Sequence, residues 1–454
     1  MKVPGLSSDL PTADPYLPGH GDPAWSATHY ALDLVYDIDG NRLRATSTID
    51  AVAVDDLTRV VLDLAHLDVT KVKVDGRAPA KFRTREGRLV VTLATPLKQG
   101  AAFSMVVTYA GNPRPLIEKH HGDAGWEELT DGVIVAGQPH GAPTWFPCND
   151  RPDDKASYAI SVTAHPDYHV VANGILGSRR RHGSSVTWTY LQDEPMATYL
   201  ATVQIGRYDV RELDAIVPMY AVVPHDAGSG VEDAFGRQPE MLAAFAELFG
   251  DYPFPLYSVV VTADDLEIPL ESQSLSTFGR NFLTSEWESV RLVAHELAHQ
   301  WFGNTVTLGA WRDIWLHEGF ACYAEWLWSE RSGGDTADVH ARVHHQRLAG
   351  LDQDLLLSDP GPALMFDDRV YKRGALTLHA LRLTVGDDDA FFGLLRAWVA
   401  DHRGGTVSTA DFVAHVAAHV PARTGEAVDA LFAQWLNEEE LPDLPDAPDA
   451  LNAS

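Results

Sequence analysis

Residues 287–331 read WESVRLVAHELAHQWFGNTVTLGAWRDIWLHEGFACYAEWLWSER. Apolar positions recur at helical spacing, which predicts one helix over 287–303 and a second beginning near Glu318 and running through GFACYAEWLWSERSG. Within the first, His295-Glu296-Leu297-Ala298-His299 puts two imidazoles one turn apart on one face, within reach of a single ion. Glu296 stands beside that ion, where it can take a proton from water. Glu318, nineteen residues beyond His299, can bring a carboxylate across from the second helix. Two His and one Glu leave a fourth position open to water, which is the pattern of a catalytic zinc rather than a structural one. One zinc per chain is therefore expected, on His295, His299 and Glu318. Glu325 is the candidate to orient one of the histidines through its outer nitrogen, against the plainer reading of a solvated helix carboxylate.

Outward from this segment the chain has two characters. From His29 to about Val210 it reads as short alternating strands, among them YALDLVYDI, TRVVLDL, RLVVTL, FSMVVTYAG, SYAISVTAH and ATYLATVQIG. Their period of two favours antiparallel pairing with one face buried, and Asp75-Gly76 and Asn173-Gly174 signal turns. Residues 111–150 read as a long irregular stretch. After Arg211, VPMYAVVP keeps strand patterning and helices then take over: QPEMLAAFAELFG, TADVHARVHHQRLAGL, RGALTLHALRLTVG, DDAFFGLLRAWVADH, TADFVAHVAAH and AVDALFAQWL. Thr336 and Thr409 stand where N-caps belong. The expected class is α+β multidomain, with an N-terminal antiparallel β saddle or sandwich followed by a mainly helical domain that carries the zinc constellation. The expected division is an extension over 1–22, a β domain over 23–210, a catalytic domain over 211–438 and an acidic, Pro-rich tail over 439–454 that trails in the open.

Composition narrows the partners. The chain of 454 residues carries 64 Asp and Glu against 35 Lys and Arg, a formal charge of −29 that disfavours nucleic acid and anionic lipid as partners. No apolar run reaches the length of a membrane span, and the first 22 residues lack the apolar core of a secretory signal. The two cysteines, Cys148 and Cys322, cannot build a disulfide scaffold and read as buried reduced thiols. A cytoplasmic monomer is the expectation, with a mature secreted form as the alternative.

HELAHQWFGN followed by WLHEGFACYAE resembles the zinc aminopeptidases of the M1 family, a gluzincin group that includes aminopeptidase N and leukotriene A4 hydrolase. TWFPCNDRPDDKASY at 144–158 and LFGDYPFPLYSVV at 248–260 resemble two more family stretches, so the likeness runs from about His29 to Pro445. It implies a thermolysin-like catalytic domain and an aminopeptidase acting on peptides with a free N-terminus. The chain looks like a short bacterial form with only the first two domains, which implies an open cleft. The family's catalytic tyrosine falls on Tyr371, which alone would read as an ordinary helix-start residue. The carboxylate that holds the substrate ammonium falls on Glu271, in Ile268-Pro269-Leu270-Glu271-Ser272, where the family's Gly, Met and Asn are missing. A second ammonium contact falls on Gln138, which could instead be a turn residue satisfied by backbone. His317 stands where the family usually has Asn and is not counted as a ligand.

The implied chemistry is hydrolysis of the first peptide bond, with Glu296 as the base, Tyr371 as donor to the oxyanion, and Glu271 and Gln138 fixing the amino terminus. Carboxylates around that terminus suggest a broad neutral or basic first-residue preference. Three alternatives stay open: a thermolysin-like endopeptidase, an epoxide hydrolase, and a non-catalytic binding protein.

Overall fold

Strict alternation produces the strands it promises. Along β1 (Trp25–Asp37), Tyr30, Leu32 and Leu34 are buried while Asp33 and Val35 face outward. The computed structural model describes residues 10–446 and resolves into two units, one up to Arg207 and one from Tyr208 onward.

In the first unit β1 is followed by β2 (Arg42–Ala53), β3 (Leu57–Asp63), β4 (Leu67–Val74), β5 (Lys81–Arg85), β6 (Arg88–Leu97) and β7 (Ala102–Gly111). Then come β8 (Leu116–Glu118), β9 (Gly122–Leu129), β10 (Gly132–Ala136), β11 (Ala156–Ala164), β12 (His169–Ala172), β13 (Ile175–His182), β14 (Ser185–Met196) and β15 (Val203–Gly206). They form a seven-stranded sheet in the order β13-β14-β11-β1-β2-β7-β4, a five-stranded sheet β12-β15-β10-β9-β8 and a three-stranded sheet β3-β6-β5. Pairing is antiparallel except between β1 and β11, which run parallel in the middle of the large sheet. The stretch expected to be irregular, 111–150, instead supplies β8, β9 and β10. Gly125 and Gly132 interrupt its alternation, and both have the positive φ that hides a strand from a pattern search. ATYLATVQIG likewise divides into a short 3-10 turn and β15.

The described part of the expected extension, from Leu10 on, is held against the β unit. Arg88 donates to the carbonyls of Pro11, Gly19 and Gly21, which docks the segment from Leu10 to Asp22 on the unit's own core.

The second unit opens with β16 (Tyr208–Leu213), β17 (Met219–Pro224), α1 (Gly230–Phe235), α2 (Gln238–Phe249), β18 (Tyr257–Val261) and β19 (Leu275–Phe278). β16 and β17 are antiparallel, and β17, β18 and β19 parallel. Next are α3 (Trp287–Ala298), β20 (Thr307–Leu308), α4 (Trp315–Arg331), α5 (Ala337–Leu348), α6 (Asp368–Val385), α7 (Asp388–His402), β21 (Thr406–Val407), α8 (Thr409–His419) and α9 (Ala422–Asn437). α4 is buried from Trp315 to Ser329, as expected of a helix apolar on every side. It packs against α3 and α6. Gly319 and Gly374 let the α4 and α6 backbones meet: a Cβ on Gly319 would lie 2.8 Å from the Cα of Gly374. That approach brings the turns carrying Glu318 and Tyr371 together.

Several boundaries move. α4 starts at Trp315, so Glu318 sits in its first turn, and α6 starts at Asp368, which takes in Tyr371. Thr336 caps α5 as expected, accepting from the Val339 amide. Thr409 does not cap α8: Ser408 does, in a capping box with Asp411, while the Thr409 hydroxyl donates to Asp313. The acidic tail does not trail free at its start. Arg373 donates to the carbonyls of Glu438 and Glu439, and His345 to that of Pro442; residues 447–454 lie outside the described residues. Cys148 and Cys322 are buried and unpaired. No described helix is long and apolar enough to cross a membrane.

Candidate metal centre

α3 delivers His295, Glu296 and, at its C-cap, His299, all buried. Glu318 reaches them from α4. His295 Nε2 lies 3.2 Å and His299 Nε2 3.4 Å from one atom, Oε2 of Glu318. Donors held 2.0–2.1 Å from a tetrahedral ion stand about 3.4 Å apart, so this spacing is that of a metal cradle. The outer nitrogens settle the tautomers. His295 Nδ1 faces Glu325 Oε1 at 2.8 Å, and His299 Nδ1 faces the Phe302 carbonyl at 3.0 Å. Both partners only accept, so each Nδ1 carries a hydrogen and each Nε2 is left to face Glu318, as a lone pair whenever the ring is neutral. Two imidazoles and a carboxylate then converge on one point, where a positive charge, as protons or as a cation, balances Glu318.

The electrostatics say the same. Burial opposes a charged imidazole, yet Glu318 and Glu325 on either side pull His295 up to about 10. His299 is raised too, its burial outweighed by Glu318. Burial alone would raise the Glu318 carboxyl, but the two histidines hold it far below the usual range. Glu296 moves the other way, pushed up by burial against the pull of both histidines, with Glu271 and Glu318 adding to the rise. Glu325 is not a solvated helix carboxylate. It is 2 % exposed and is held down at about 2, against its burial, by Lys372, His295 and Arg291.

The family models match in two pieces, the Peptidase M1 N-terminal domain over residues 26–200 and the Peptidase family M1 domain over 234–435. The M1 zinc metallopeptidase of Deinococcus radiodurans, solved as a variant bound to a Tyr-Ser-Ala substrate, is 30% identical. The match covers 96% of this chain and 99% of that one, at a TM-score of 0.87. The chain belongs to peptidase family M1. Aminopeptidase M1 of Arabidopsis thaliana is 25% identical over 91% of this chain and 50% of its own length. Probable aminopeptidase 2 of Sulfurisphaera tokodaii is 27% identical over 84% of this chain and 50% of its own. The chain thus spans about half the length of these curated M1 relatives.

The backbone of the loop over 268–272 is firmly held. Asn304 Nδ2 donates to the Glu271 carbonyl at 2.8 Å and to that of Ser272 at 3.2 Å. Gln300 donates to the Ser272 carbonyl and accepts from the Ser274 amide at 2.7 Å. Gln300 follows His299 directly and Asn304 closes the same short segment, so the stretch after the metal helix fixes the loop that carries Glu271. Glu271 is buried and close enough to His299 and Glu318 for their charges to act on it; its burial raises its pKa.

Tyr371 lies with its ring nearly parallel to that of His295, centroids 6.0 Å apart. Burial and the charges of Glu318, Glu271 and Glu296 push its phenol well above the usual range, so it keeps its proton. His317 points elsewhere: its Nε2 accepts from the Leu308 amide at 2.8 Å. Gln138 lies in the first unit just after β10, with its Nε2 buried and without a hydrogen-bond partner.

Sequence reasoning missed Arg291, Lys372, Gln300 and Asn304. Arg291 was within reach of it, being one turn before His295 on the same face of α3, where it donates to Glu325 at 3.2 Å. Lys372 is buried beside Glu325 and Cys322, and nothing in the sequence signals that packing.

Proposed function

We propose that this chain is a zinc-dependent aminopeptidase that removes the first residue of peptides. The observation that carries the reading is the cradle of two Nε2 lone pairs facing one Glu318 oxygen, with Glu271 buried nearby. When bound, zinc supplies a Lewis acid for the peptide carbonyl and lowers the pKa of water. Glu296 accepts the proton of the attacking water and returns it to the leaving amine. Its raised affinity for protons, from burial and the neighbouring carboxylates, is what a divalent charge would bring down into working range. Tyr371 donates to the carbonyl oxygen as it gains charge. Glu325 holds His295 in the tautomer that offers Nε2.

Glu271 takes the substrate ammonium, which fixes the register of the peptide and makes the hydrolase an exopeptidase. Gln138 keeps the role its motif gives it, as a further partner for the ammonium. A two-domain M1 zinc metallopeptidase has been solved with L-tryptophan and with L-arginine, at 29% and 30% identity to this chain, which supports a broad neutral and basic first-residue preference. The location and state proposed with this activity are a cytoplasmic monomer, and the two unpaired buried thiols fit a reducing compartment.

The test is hydrolysis of a fluorogenic amino-acid amide panel beside matched N-acetylated substrates, with chelator and zinc add-back. Release from free-amine substrates alone, lost with chelator and restored by zinc, is the expected result. Cleavage of blocked peptides at internal bonds would overturn the role of Glu271 and favour an endopeptidase. Fastest turnover on Asp or Glu substrates would overturn the first-residue preference.

A further inference from the structure

Far along the chain from HELAH, α8 repeats its spacing: His415 and His419 stand at i and i+4 on one helix face. α7 packs against α8 and carries Asp401 in its last turn. One donor atom from each of the three lies within 4.8 Å of the other two. We propose that Asp401, His415 and His419 form a second binding site for a zinc-class divalent cation.

The backbone has already set the imidazoles for it. His415 Nε2 faces the Leu394 carbonyl at 3.0 Å, and His419 Nδ1 faces the His415 carbonyl at 2.8 Å. A carbonyl only accepts, so these nitrogens carry the hydrogens, and His415 Nδ1 and His419 Nε2 are left as lone pairs. The same device fixes the histidines of the catalytic centre. The two rings stand 4.0 Å apart at 31°. His415 is buried against Trp398, and burial lowers its pKa, which keeps it in the neutral form that metals bind. Asp401 is exposed, so its carboxylate is free to move towards the spacing of about 3.4 Å that a tetrahedral ion demands. Two imidazoles and a carboxylate suit zinc, nickel and copper(II) better than magnesium or calcium. An ion here would join the last turn of α7 to α8 across the connection that holds β21. β21 pairs with β20, just beyond the metal helix.

This site does not depend on the peptidase reading, and zinc stoichiometry tests it. Chelator-stripped full-length protein, titrated with zinc and assayed for bound metal, is expected to take two ions per chain, and His419→Ala only one. That variant should keep wild-type turnover of whatever substrate the native chain hydrolyses, because the catalytic ligands are untouched. Asp401→Asn preserves shape and removes charge. It should weaken the second ion at least tenfold or so without altering the first. One zinc in the wild-type chain at saturation, or two in His419→Ala, overturns the proposal. Loss of both ions in His419→Ala with an intact far-UV circular dichroism spectrum also overturns it, since the sites would then not be separate.

Discussion

Each unit buries a knot of acids and histidines, and the two knots are wired oppositely. In the β unit Asp63 pairs with Arg88 at 2.6 Å and His20 with Asp150 at 2.8 Å. Asp63 Oδ2 also accepts from the amides of Gly21 and Asp150, and Asp150 Oδ1 from Thr198. Charges are matched, and Asp63 Oδ2 and both Asp150 oxygens meet donors. In the helical unit the donors are turned outward, to Glu325 and the Phe302 carbonyl, while the acceptors of His295, His299 and Glu318 face one another. Burial of charge is common to both and is no sign of function by itself. What separates a brace from a binding site is whether the lone pairs are answered from within the chain.

The sharpest break between the two is expected from Glu296→Gln. It removes the proposed base while leaving the metal ligands, so turnover should fall by about 10³-fold with zinc stoichiometry unchanged. If turnover survives, Glu296 is not the base; if zinc is lost along with turnover, Glu296 belongs to the cradle rather than to the chemistry. Arg88→Met attacks the other knot. It strands Asp63 in the interior and frees the carbonyls of Pro11, Gly19 and Gly21, and breaking such a pair costs about 3–5 kcal/mol. Urea unfolding should show that loss, while zinc affinity of the folded protein stays as it was. A shift in affinity would mean the knots are coupled. Glu325→Gln should sit between a brace and a ligand. It keeps the shape and an acceptor for His295 but loses the charge that Arg291 and Lys372 balance, so zinc affinity should fall about 10–100-fold with the fold intact.

These differences were unequally legible in the sequence. His295, His299 and Glu318 were readable because a helix turns spacing into direction: four residues apart means one face. Glu325 could be named but not weighed, since its burial depends on α4 being enclosed on every side. β9 and β10 were missed because their glycines break the alternation that marks a strand, and β8 because three residues are too few to show one. The β-unit knot was invisible altogether. Its members come from residues 20, 63, 88 and 150, and only tertiary pairing brings them together. The β1–β11 parallel pair escaped for the same reason, because register across more than a hundred residues leaves no local trace.

The finest test of the contrast is the sign of its response to pH. Burial alone would lower the pKa of His20, but the hydrogen bond and charge of Asp150, helped by Asp63, outweigh it and leave the folded value raised. A raised folded value means the pair contributes in full below the unfolded value of about 6.5 and loses its contribution as pH rises through the folded one. His20→Gln keeps a donor for Asp150 but carries no proton to lose. The stability gap between wild type and variant should therefore be widest in mild acid, about 1 kcal/mol, and should close towards alkaline pH. The metal histidines must respond the other way, because protons compete with zinc for Nε2, and acid should empty the cradle. Between about pH 5 and 8 the same residue type would strengthen one knot and disarm the other. Unfolding curves of wild type and His20→Gln that stay equally spaced across that range would show His20 held neutral, and the two knots would then differ in geometry alone.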